Sequence, residues 1–159
     1  MSATLRAARA ADLPAVERLL LANGLPLDGV KEALGSFVVA QAGDDVVGVA
    51  GVEVCRDNAL LRSVAVAPEW RSRGLGRALV TRAIADAGAR GIRALYLLTT
   101  TAERYFPSFG FERISRDDVP DDVRATAEFR TACPASAAVM RRTSSGIANG
   151  AAGAARAQA

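Results

Sequence analysis

The sequence predicts a mixed α+β (α/β) domain whose central sheet is mostly antiparallel and contains one parallel β-α-β crossover. The chain has 159 residues, of which 50% are hydrophobic, so it is long enough for one domain with a sizeable core. Strand-like runs separated by turn residues fill 37–66. The clearest amphipathic helix, at 74–89, lies between two strand-like runs at 59–66 and 94–98. A crossover of this length implies that the two flanking strands are parallel and that the helix covers one face.

Turn residues and apolar spacing define the other elements. Asp12 is a candidate N-cap with Pro14 in the first helical turn, and the segment 23–26 contains a glycine and a proline that end this helix. A two-residue turn is expected at Asp57-Asn58. In chain order, we expect a strand at 5–8, helices at 12–22 and 28–34, strands at 37–41, 46–54 and 59–66, the helix at 74–89, a strand at 94–98, a short helix at 102–109, a strand at 111–115, a short helix at 120–130 and a last strand at 137–141.

The composition excludes several kinds of chemistry. The chain has no histidine, which rules out Ser-His-Asp triads, Cys-His dyads and imidazole metal sites. Its two cysteines, Cys55 and Cys133, do not form a C-x-x-C pair, and we expect no metal. The net charge of +3 is spread over segments of mixed sign, so we expect no nucleic-acid partner.

The sequence also predicts where the protein is located and where its domain ends. No secretory signal and no apolar run long enough to span a bilayer are found, so we expect a cytoplasmic protein with no membrane contact. Residues 1–142 form the expected domain. Residues 143–159 consist mostly of Ser, Gly and Ala, and we expect a disordered tail there.

The most informative segment lies at the start of the helix at 74–89. It is the run Arg71-Ser72-Arg73-Gly74-Leu75-Gly76-Arg77. Glycines allow a ligand to approach the backbone closely, and the free N–H groups at a helix start favour an anion. The three arginines add positive charge. This composition predicts a pyrophosphate site, although the third glycine of a dinucleotide fingerprint and the Gly-Lys-Ser/Thr of a P-loop are both absent.

The stretch from Leu60 to Leu79, LLRSVAVAPEWRSRGLGRAL, resembles the acetyl-CoA-binding core of the GNAT acetyltransferases. Their signature is Arg or Gln, two residues, Gly, one residue, then Gly or Ala, and it is matched by Arg71, Gly74 and Gly76. The element order fits across roughly residues 3–142. The resemblance implies a GNAT-type fold whose fourth and fifth strands splay apart to admit acetyl-CoA. The implied contacts are Val64, Ala65 and Val66 for the acetyl-pantetheine arm, Arg71, Ser72, Arg73, Gly74, Leu75, Gly76 and Arg77 for the pyrophosphate, and further contacts from Thr100 and Phe106.

A narrower resemblance involves Leu97–Ala102, Phe106, Phe109–Phe111 and Cys133–Ser136. These segments resemble the arsenic-resistance N-acetyltransferases of the ArsN type and, less closely, the acetyltransferase half of N-acetylglutamate synthases. Both comparisons imply a small amino-acid-like acceptor with an amine and a carboxylate, such as a glutamate-like compound containing arsenic or phosphorus. Pairing of two copies into a homodimer is a further expectation from this kind of fold.

Glu53 is the candidate general base because it is a lone carboxylate among apolar residues of the strand at 46–54. A carboxylate in such surroundings is either paired or available for proton transfer. A two-residue turn at Asp57-Asn58 would place Glu53 opposite Arg62, so a structural ion pair is one alternative. In another, Arg62 holds the substrate carboxylate as a bidentate fork.

Further candidates are less constrained by their surroundings. Many GNAT enzymes have a tyrosine four residues before the Gly of a Gly-Phe pair, where it can protonate the leaving thiolate. Here Phe106 occupies that position, and Tyr105 precedes it by one residue, so its role is either that of the acid or packing. Cys133 is a nucleophile, a pocket wall or a structural residue. The remaining substrate-site candidates are Ser63, Thr99 and Ser136.

Three functions follow from these residues. The first is an acetyl-CoA-dependent N-acetyltransferase in which the amine attacks directly. The second is a non-catalytic module that senses acetyl-CoA, favoured by the absence of a tyrosine at position 106 and of histidine. The third is a basic nucleic-acid-binding domain, for which interleaved aromatic residues and a reading motif are lacking.

Overall fold

The structure, a computed structural model, describes residues 2–132 and 136–143. Seven strands form one sheet in the order β1-β2-β3-β4-β5-β7-β6, and every neighbouring pair is antiparallel except β4 and β5. This arrangement confirms the predicted fold class. The strands are β1 (Thr4–Ala7), β2 (Phe37–Ala42), β3 (Asp45–Cys55), β4 (Asn58–Val66), β5 (Ala94–Thr99), β6 (Glu112–Ile114) and β7 (Ala138–Thr143).

The helices are short apart from the two that pack on the sheet. The stripe predicted on the long helix is buried at Leu79, Val80, Ala83 and Ala87. No helix of residues 2–132 and 136–143 is both long and apolar enough to cross a bilayer. The α-helices are α1 (Leu13–Ala22), α2 (Val30–Ala33), α3 (Leu75–Ala89) and α4 (Asp121–Arg124), with 3-10 turns at Ala10–Asp12, Leu34–Ser36, Pro68–Trp70, Phe106–Phe109 and Arg116–Asp118 and a π-helical segment at Glu128–Ala132.

Asp12 occupies the predicted N-cap position of α1, but its side chain makes no capping hydrogen bond to that helix. It is the last residue of the 3-10 turn before α1, and its carboxylate accepts two hydrogen bonds from the Arg6 guanidinium, both at 2.8 Å. The backbone N–H of Arg9 also donates to it, at 2.7 Å. These donors, Arg6 above all, lower the pKa of Asp12 to about 2. The carboxylate therefore joins β1 to the turn that leads into α1.

The hairpin turn between β3 and β4 lies one residue earlier than predicted. The turn residues are Arg56 and Asp57, with Arg56 at a φ of 56°, so Cys55 pairs with Asn58. The direct partner of Glu53 is consequently Leu60, and the predicted pairing opposite Arg62 is wrong. The predicted helices at 102–109 and 120–130 are also shorter, at Phe106–Phe109 and Asp121–Arg124.

The predicted splay of the fourth and fifth strands is present. The parallel pairing joins only Asn58–Leu60 to Ala94–Tyr96, although β4 continues to Val66. Further along β4, the register with β3 shifts, since Val49 pairs with Ala65 but Gly51 with Arg62. Ser63 lies in this bulge with a φ of 59°. A bulge bends its strand and increases its twist, and this one lies where β4 separates from β5.

The two faces of the sheet are covered by different elements. On one face, an added Cβ at Gly48 would lie 2.8 Å from Leu79 of α3, which shows how closely that helix packs. On the other face, Leu60 belongs to a second cluster with Val119 and Val123 beside α4. Thr143 ends β7 one residue past the expected domain boundary, and the tail predicted beyond it lies outside the described residues.

Candidate active site

Arg62 is the centre of a charged cluster on the face of the sheet that α4 covers. Its side chain is 0% exposed, and its Nη1 donates to Oε1 of Glu53 at 2.9 Å. Its Nε donates to Oγ of Ser63 at 3.1 Å. Nη2 is buried and has no hydrogen-bond partner among the described residues. Because an unsatisfied buried donor costs about 1–3 kcal/mol, an acceptor atom from a ligand would be favoured there.

Glu53 reaches Arg62 along a diagonal of the sheet. Arg62 is opposite Gly51, and Glu53 is two residues further along β3, so both side chains point to the same face. Diagonal neighbours on two strands remain within reach of long side chains. The predicted ion pair therefore forms despite the wrong register.

Glu128 is a second carboxylate beside Arg62, and it is not among the residues predicted from the sequence. Its Oε1 lies 3.9 Å from Nε of Arg62, and its side chain is 8% exposed. Burial raises the pKa of Glu128 to about 7, Arg62 opposes this rise and Glu53 adds to it. The sequence carries no signal for this placement, because it depends on how the π-helical segment packs against β4.

The loop before α2 closes over the charged cluster at Gly29. An added Cβ there would lie 3.2 Å from Nη1 of Arg62, 3.1 Å from Cβ of Ala127 and 3.7 Å from Oε1 of Glu53, and the φ of Gly29 is +78°. Glycine is therefore favoured here by both the limited space and the backbone conformation.

Two clefts of about 530 Å³ each are lined in part by Glu53 and Val54. The first is lined by the α2 region, including Glu32 and Ser36, and by Ala127. The second is lined by Cys55, the start of α4 and Thr126. A small substrate therefore has space beside the Arg62 cluster.

The predicted phosphate segment forms the entry to α3. Ser72 and Gly74 have φ values of 66° and 80°, and Gly74 directly precedes the helix. The first N–H groups of a helix have no acceptor within it and favour an anion. An added Cβ at Gly76 would lie 3.7 Å from both the Tyr105 hydroxyl and Cγ2 of Val66. The start of α3, the end of β4 and Tyr105 therefore meet at the opening between β4 and β5.

Arg71 connects three elements at this opening. Its Nη2 donates to Oδ1 of Asn23, just after α1, at 2.7 Å, and its Nε donates to the Val66 carbonyl at 3.3 Å. The guanidinium thus holds the end of α1 against the end of β4.

The other two arginines of the segment are held by aromatic rings. The Arg73 guanidinium lies 4.8 Å from the centre of the Trp70 ring. Arg77 lies 4.5 Å from the centre of the Phe109 ring and donates to Oγ of Ser108 at 2.9 Å. Both are exposed, so their positive charges remain available to an anion.

The other predicted residues differ in their surroundings. Tyr105 is 38% exposed, whereas Phe106 is buried in the core. Oγ1 of Thr99 accepts a hydrogen bond from the Ala102 N–H at 2.9 Å, and Thr100 is exposed at the end of β5.

Along the rest of the predicted site, the bulged part of β4 alternates in exposure. Ala65 is buried, while Val64 and Val66 are partly exposed. Ser136 is exposed, and Cys133 lies outside the described residues.

Residues 33–113 match the family model described as "Acetyltransferase (GNAT) domain". This match covers half of the chain, and the chain therefore belongs to the GNAT acetyltransferases. It is an acetyl-CoA-dependent N-acetyltransferase of the GNAT type, which confirms the family, the reaction class and the cosubstrate predicted from the sequence.

Two curated relatives and one solved structure illustrate the similarity. The uncharacterized N-acetyltransferase CT2212 of Chlorobaculum tepidum is 29% identical over 126 residues, which cover 74% of this chain and 81% of that protein. An amino-acid acetyltransferase of Aeromonas salmonicida is 28% identical over 89 residues, covering 55% of this chain and 20% of that protein.

The N-acetylglutamate synthase from Neisseria gonorrhoeae, complexed with coenzyme A and N-acetyl-glutamate, has a TM-score of 0.77 and 22% identity. The comparison covers 90% of this chain and 35% of that one. The chain thus spans about a fifth of the amino-acid acetyltransferase and about a third of the synthase.

Proposed function

We propose that the protein transfers the acetyl group of acetyl-CoA to the amine of a small amino-acid-like substrate, by direct attack in a ternary complex. The observation that carries this proposal is the buried Nη2 of Arg62, which has no acceptor among the described residues. Nη1 of the same guanidinium donates to Glu53, which lines two clefts. A carboxylate is the ligand group that best matches a guanidinium donor.

The choice of substrate class has two further supports. One of the similar proteins is named an amino-acid acetyltransferase. The ArsN-type resemblance extends the class to glutamate-like compounds that contain arsenic or phosphorus.

The cosubstrate is bound at the opening between β4 and β5. The backbone of Val64–Val66 lines the acetyl-pantetheine arm, since β4 has no β5 partner there, and the segment Arg71–Arg77 binds the pyrophosphate. Backbone N–H groups of β4 stabilise the oxyanion that forms on the thioester carbonyl. Tyr105, whose hydroxyl faces Gly76 at this opening, is the candidate donor of a proton to the leaving thiolate.

On the acceptor side, Arg62 lies near the substrate carboxylate. Glu53, the base predicted from the sequence, accepts a hydrogen bond from Arg62. Ser63 positions the guanidinium through its hydroxyl. The substrate contacts that we further propose are Thr99, Cys133 and Ser136. The further cofactor contacts are Thr100 and Phe106.

A matched panel of amines tests the proposal. Each amino acid is assayed beside its decarboxylated amine, and glutamate-like phosphinates and arsinates are included. We expect kcat/KM to favour the carboxylate-bearing member by about 10²-fold or more, since its absence leaves the Arg62 donor unpaired. Equal rates for the two members of each pair contradict an amino-acid-like substrate. Acetyl-CoA binding without turnover of any amine supports the sensor module instead.

Initial-rate kinetics test direct attack. A ternary complex predicts intersecting plots and substantial activity in Cys133→Ser. Parallel plots with an acetylated Cys133 trapped by mass spectrometry would establish a covalent route. Light scattering of the same preparation tests the homodimer, which we propose on the family resemblance.

A further inference from the structure

Glu53 and Glu128 flank the same guanidinium but are held differently. Oε1 of Glu53 accepts the Nη1 hydrogen bond of Arg62 at 2.9 Å. The closest approach of Glu128 to Arg62 is 3.9 Å, beyond hydrogen-bond distance, and its side chain is less exposed than that of Glu53, 8% against 19%. Glu53 thus anchors Arg62, whereas the Glu128 carboxylate is buried close to Arg62 without receiving a hydrogen bond from it.

We propose that Glu128 is the general base of the reaction and that Glu53 is a positioning residue for Arg62. This inference rests on the proposed function. The substrate enters as an ammonium ion and loses two protons in all. Glu128 takes the first and later releases it to bulk water. The freed lone pair then forms the C–N bond with the thioester carbonyl carbon.

The remaining steps balance the reaction. As the C–S bond breaks, its electron pair goes to sulfur, and the second proton leaves nitrogen. The leaving thiolate takes up one proton, so the net reaction releases one proton to solvent. No further reactant is needed.

The arrangement of groups around Arg62 indicates a narrower substrate class. Nη2 has no hydrogen-bond partner in the described part of the chain, and Nε lies near Glu128; both nitrogens are attached to the same guanidinium carbon. In an α-amino acid, the ammonium and the carboxylate are likewise attached to one carbon. A substrate carboxylate on Nη2 therefore brings its ammonium within reach of the Glu128 carboxylate. We infer that the acceptor is an α-amino acid held by both of its charges.

The electrostatic surroundings suit proton transfer at neutral pH. Burial raises the pKa of Glu128 to about 7, with Arg62 of β4 opposing and Glu53 of β3 adding to this rise. A base with a pKa near the working pH is the most effective one.

The charged residues of α4 and of the loop before α2 either interact with other partners or are exposed. On α4, Asp122 interacts with Asn58 and with the Val123 N–H, and Arg124 donates to the backbone carbonyls of Val119 and Arg116. Asp121 on the same helix and Asp28 in the loop before α2 are exposed. Burial is therefore the main cause of the raised pKa of Glu128, and Arg62 and Glu53 are the charged groups that modify it.

Glu128→Gln keeps the shape of the side chain and removes its basicity. We expect kcat to fall by about 10²-fold, with acetyl-CoA affinity unchanged in calorimetry. In the wild type, kcat/KM should fall tenfold per pH unit below about 7, because the base becomes protonated, and this limb should vanish in Glu128→Gln. Above the pKa of the substrate amine the deficit should shrink, since the amine no longer needs a base. Glu128→Asp should restore part of the rate.

Glu112→Gln is the matched control, because Glu112 is exposed on β6 and lines neither of the clefts beside Glu53. It should retain wild-type kinetics. Wild-type kcat and an unchanged acid limb in folded Glu128→Gln would overturn the assignment.

A carboxyl ¹³C titration separates this inference from the proposed function, because it needs no substrate. A Glu128 midpoint near 7, absent in Glu128→Gln, supports the inference, and an ordinary midpoint near 4 overturns it. If the midpoint is near 7 but the wild type acetylates no amino acid, the proposed function fails and the base assignment fails with it. If the wild type acetylates amino acids and Glu128→Gln is fully active, only the inference fails.

Discussion

Arg62 is the residue on which the acceptor site depends, because it is a fully buried cation whose charge is compensated by two carboxylates. Removing a partner of a buried charge usually costs more than the pair itself contributes. Substitutions at this cluster must therefore preserve both volume and hydrogen bonding if they are to report on function rather than on folding.

Arg62→Lys tests the carboxylate contact. An ammonium keeps the charge but lacks the planar fork, so it cannot serve Glu53, Ser63 and a substrate carboxylate together. We expect the amine KM to rise by roughly 10- to 10²-fold, with acetyl-CoA affinity unchanged. Steady-state kinetics on an amino acid and its decarboxylated amine measure the effect. Selective loss for the amino acid supports the contact, and equal loss for both contradicts it.

Glu53→Gln distinguishes the role of Glu53 from that of Glu128. If Glu53 positions Arg62 and Glu128 is the base, the variant should raise the amine KM while kcat falls less than about tenfold. A kcat loss of about 10²-fold in Glu53→Gln, together with an active Glu128→Gln, would assign the base to Glu53. Normal kcat/KM in both folded variants would leave water as the proton acceptor.

The sequence predicted the contact between Glu53 and Arg62 from an incorrect register. The turn at Arg56 and Asp57 moves Glu53 opposite Leu60, but long side chains tolerate a diagonal offset on one face. Glu128 was beyond prediction for a physical reason. Its role depends on burial, and burial depends on tertiary packing that no local pattern encodes.

Among the elements, α3 was predicted within one residue, because an apolar stripe and Gly74 define it. The segment 120–130 has no comparable stripe, and it forms a short helix at Asp121–Arg124 followed by the π-helical segment from Glu128. Short segments gain most of their order from packing, which explains why their bounds could not be predicted.

At the start of α3, Gly76→Val tests close approach of the cosubstrate to the backbone. A Cβ added at Gly76 would lie 3.7 Å from its nearest neighbours, which is an ordinary contact distance. The folded state should therefore tolerate the Cβ of the new side chain. We expect acetyl-CoA affinity to fall by about 10²-fold or more, since the branched side chain occupies the ligand's space. Gly74→Ala is the control. Because Gly74 has a φ of +80°, this variant should lose about 1 kcal/mol of stability, and its affinity for acetyl-CoA should fall less than that of Gly76→Val. Unchanged binding in Gly76→Val, measured calorimetrically, would remove the segment from the cofactor site.

The contact between β1 and the turn before α1 predicts acid sensitivity. The pKa of Asp12 is about 2 in the folded protein, below its ordinary value of 3.8, so the contact stabilises fully above about pH 4 and is lost as pH falls through 2. Asp12→Asn should therefore lower the free energy of unfolding by about 2 kcal/mol at pH 7 and by little near pH 2. Urea unfolding at both pH values measures this. An equal loss at both would show that charge is not the cause.

For the molecule as a whole, acetyl-CoA should act as a ligand of the folded state alone, because its site is assembled from β4, α3 and the residues around Tyr105. At a concentration of 100 times Kd, such a ligand stabilises by about 2.7 kcal/mol. For a domain of this size, that corresponds to a rise in Tm of roughly 5 to 10 °C. Thermal unfolding with increasing acetyl-CoA measures the shift, which should be much smaller in Gly76→Val. DNA and RNA oligonucleotides should give no comparable shift, since the net charge is only +3. A rise in Tm with oligonucleotides but not with acetyl-CoA would contradict cosubstrate binding and support the nucleic-acid alternative.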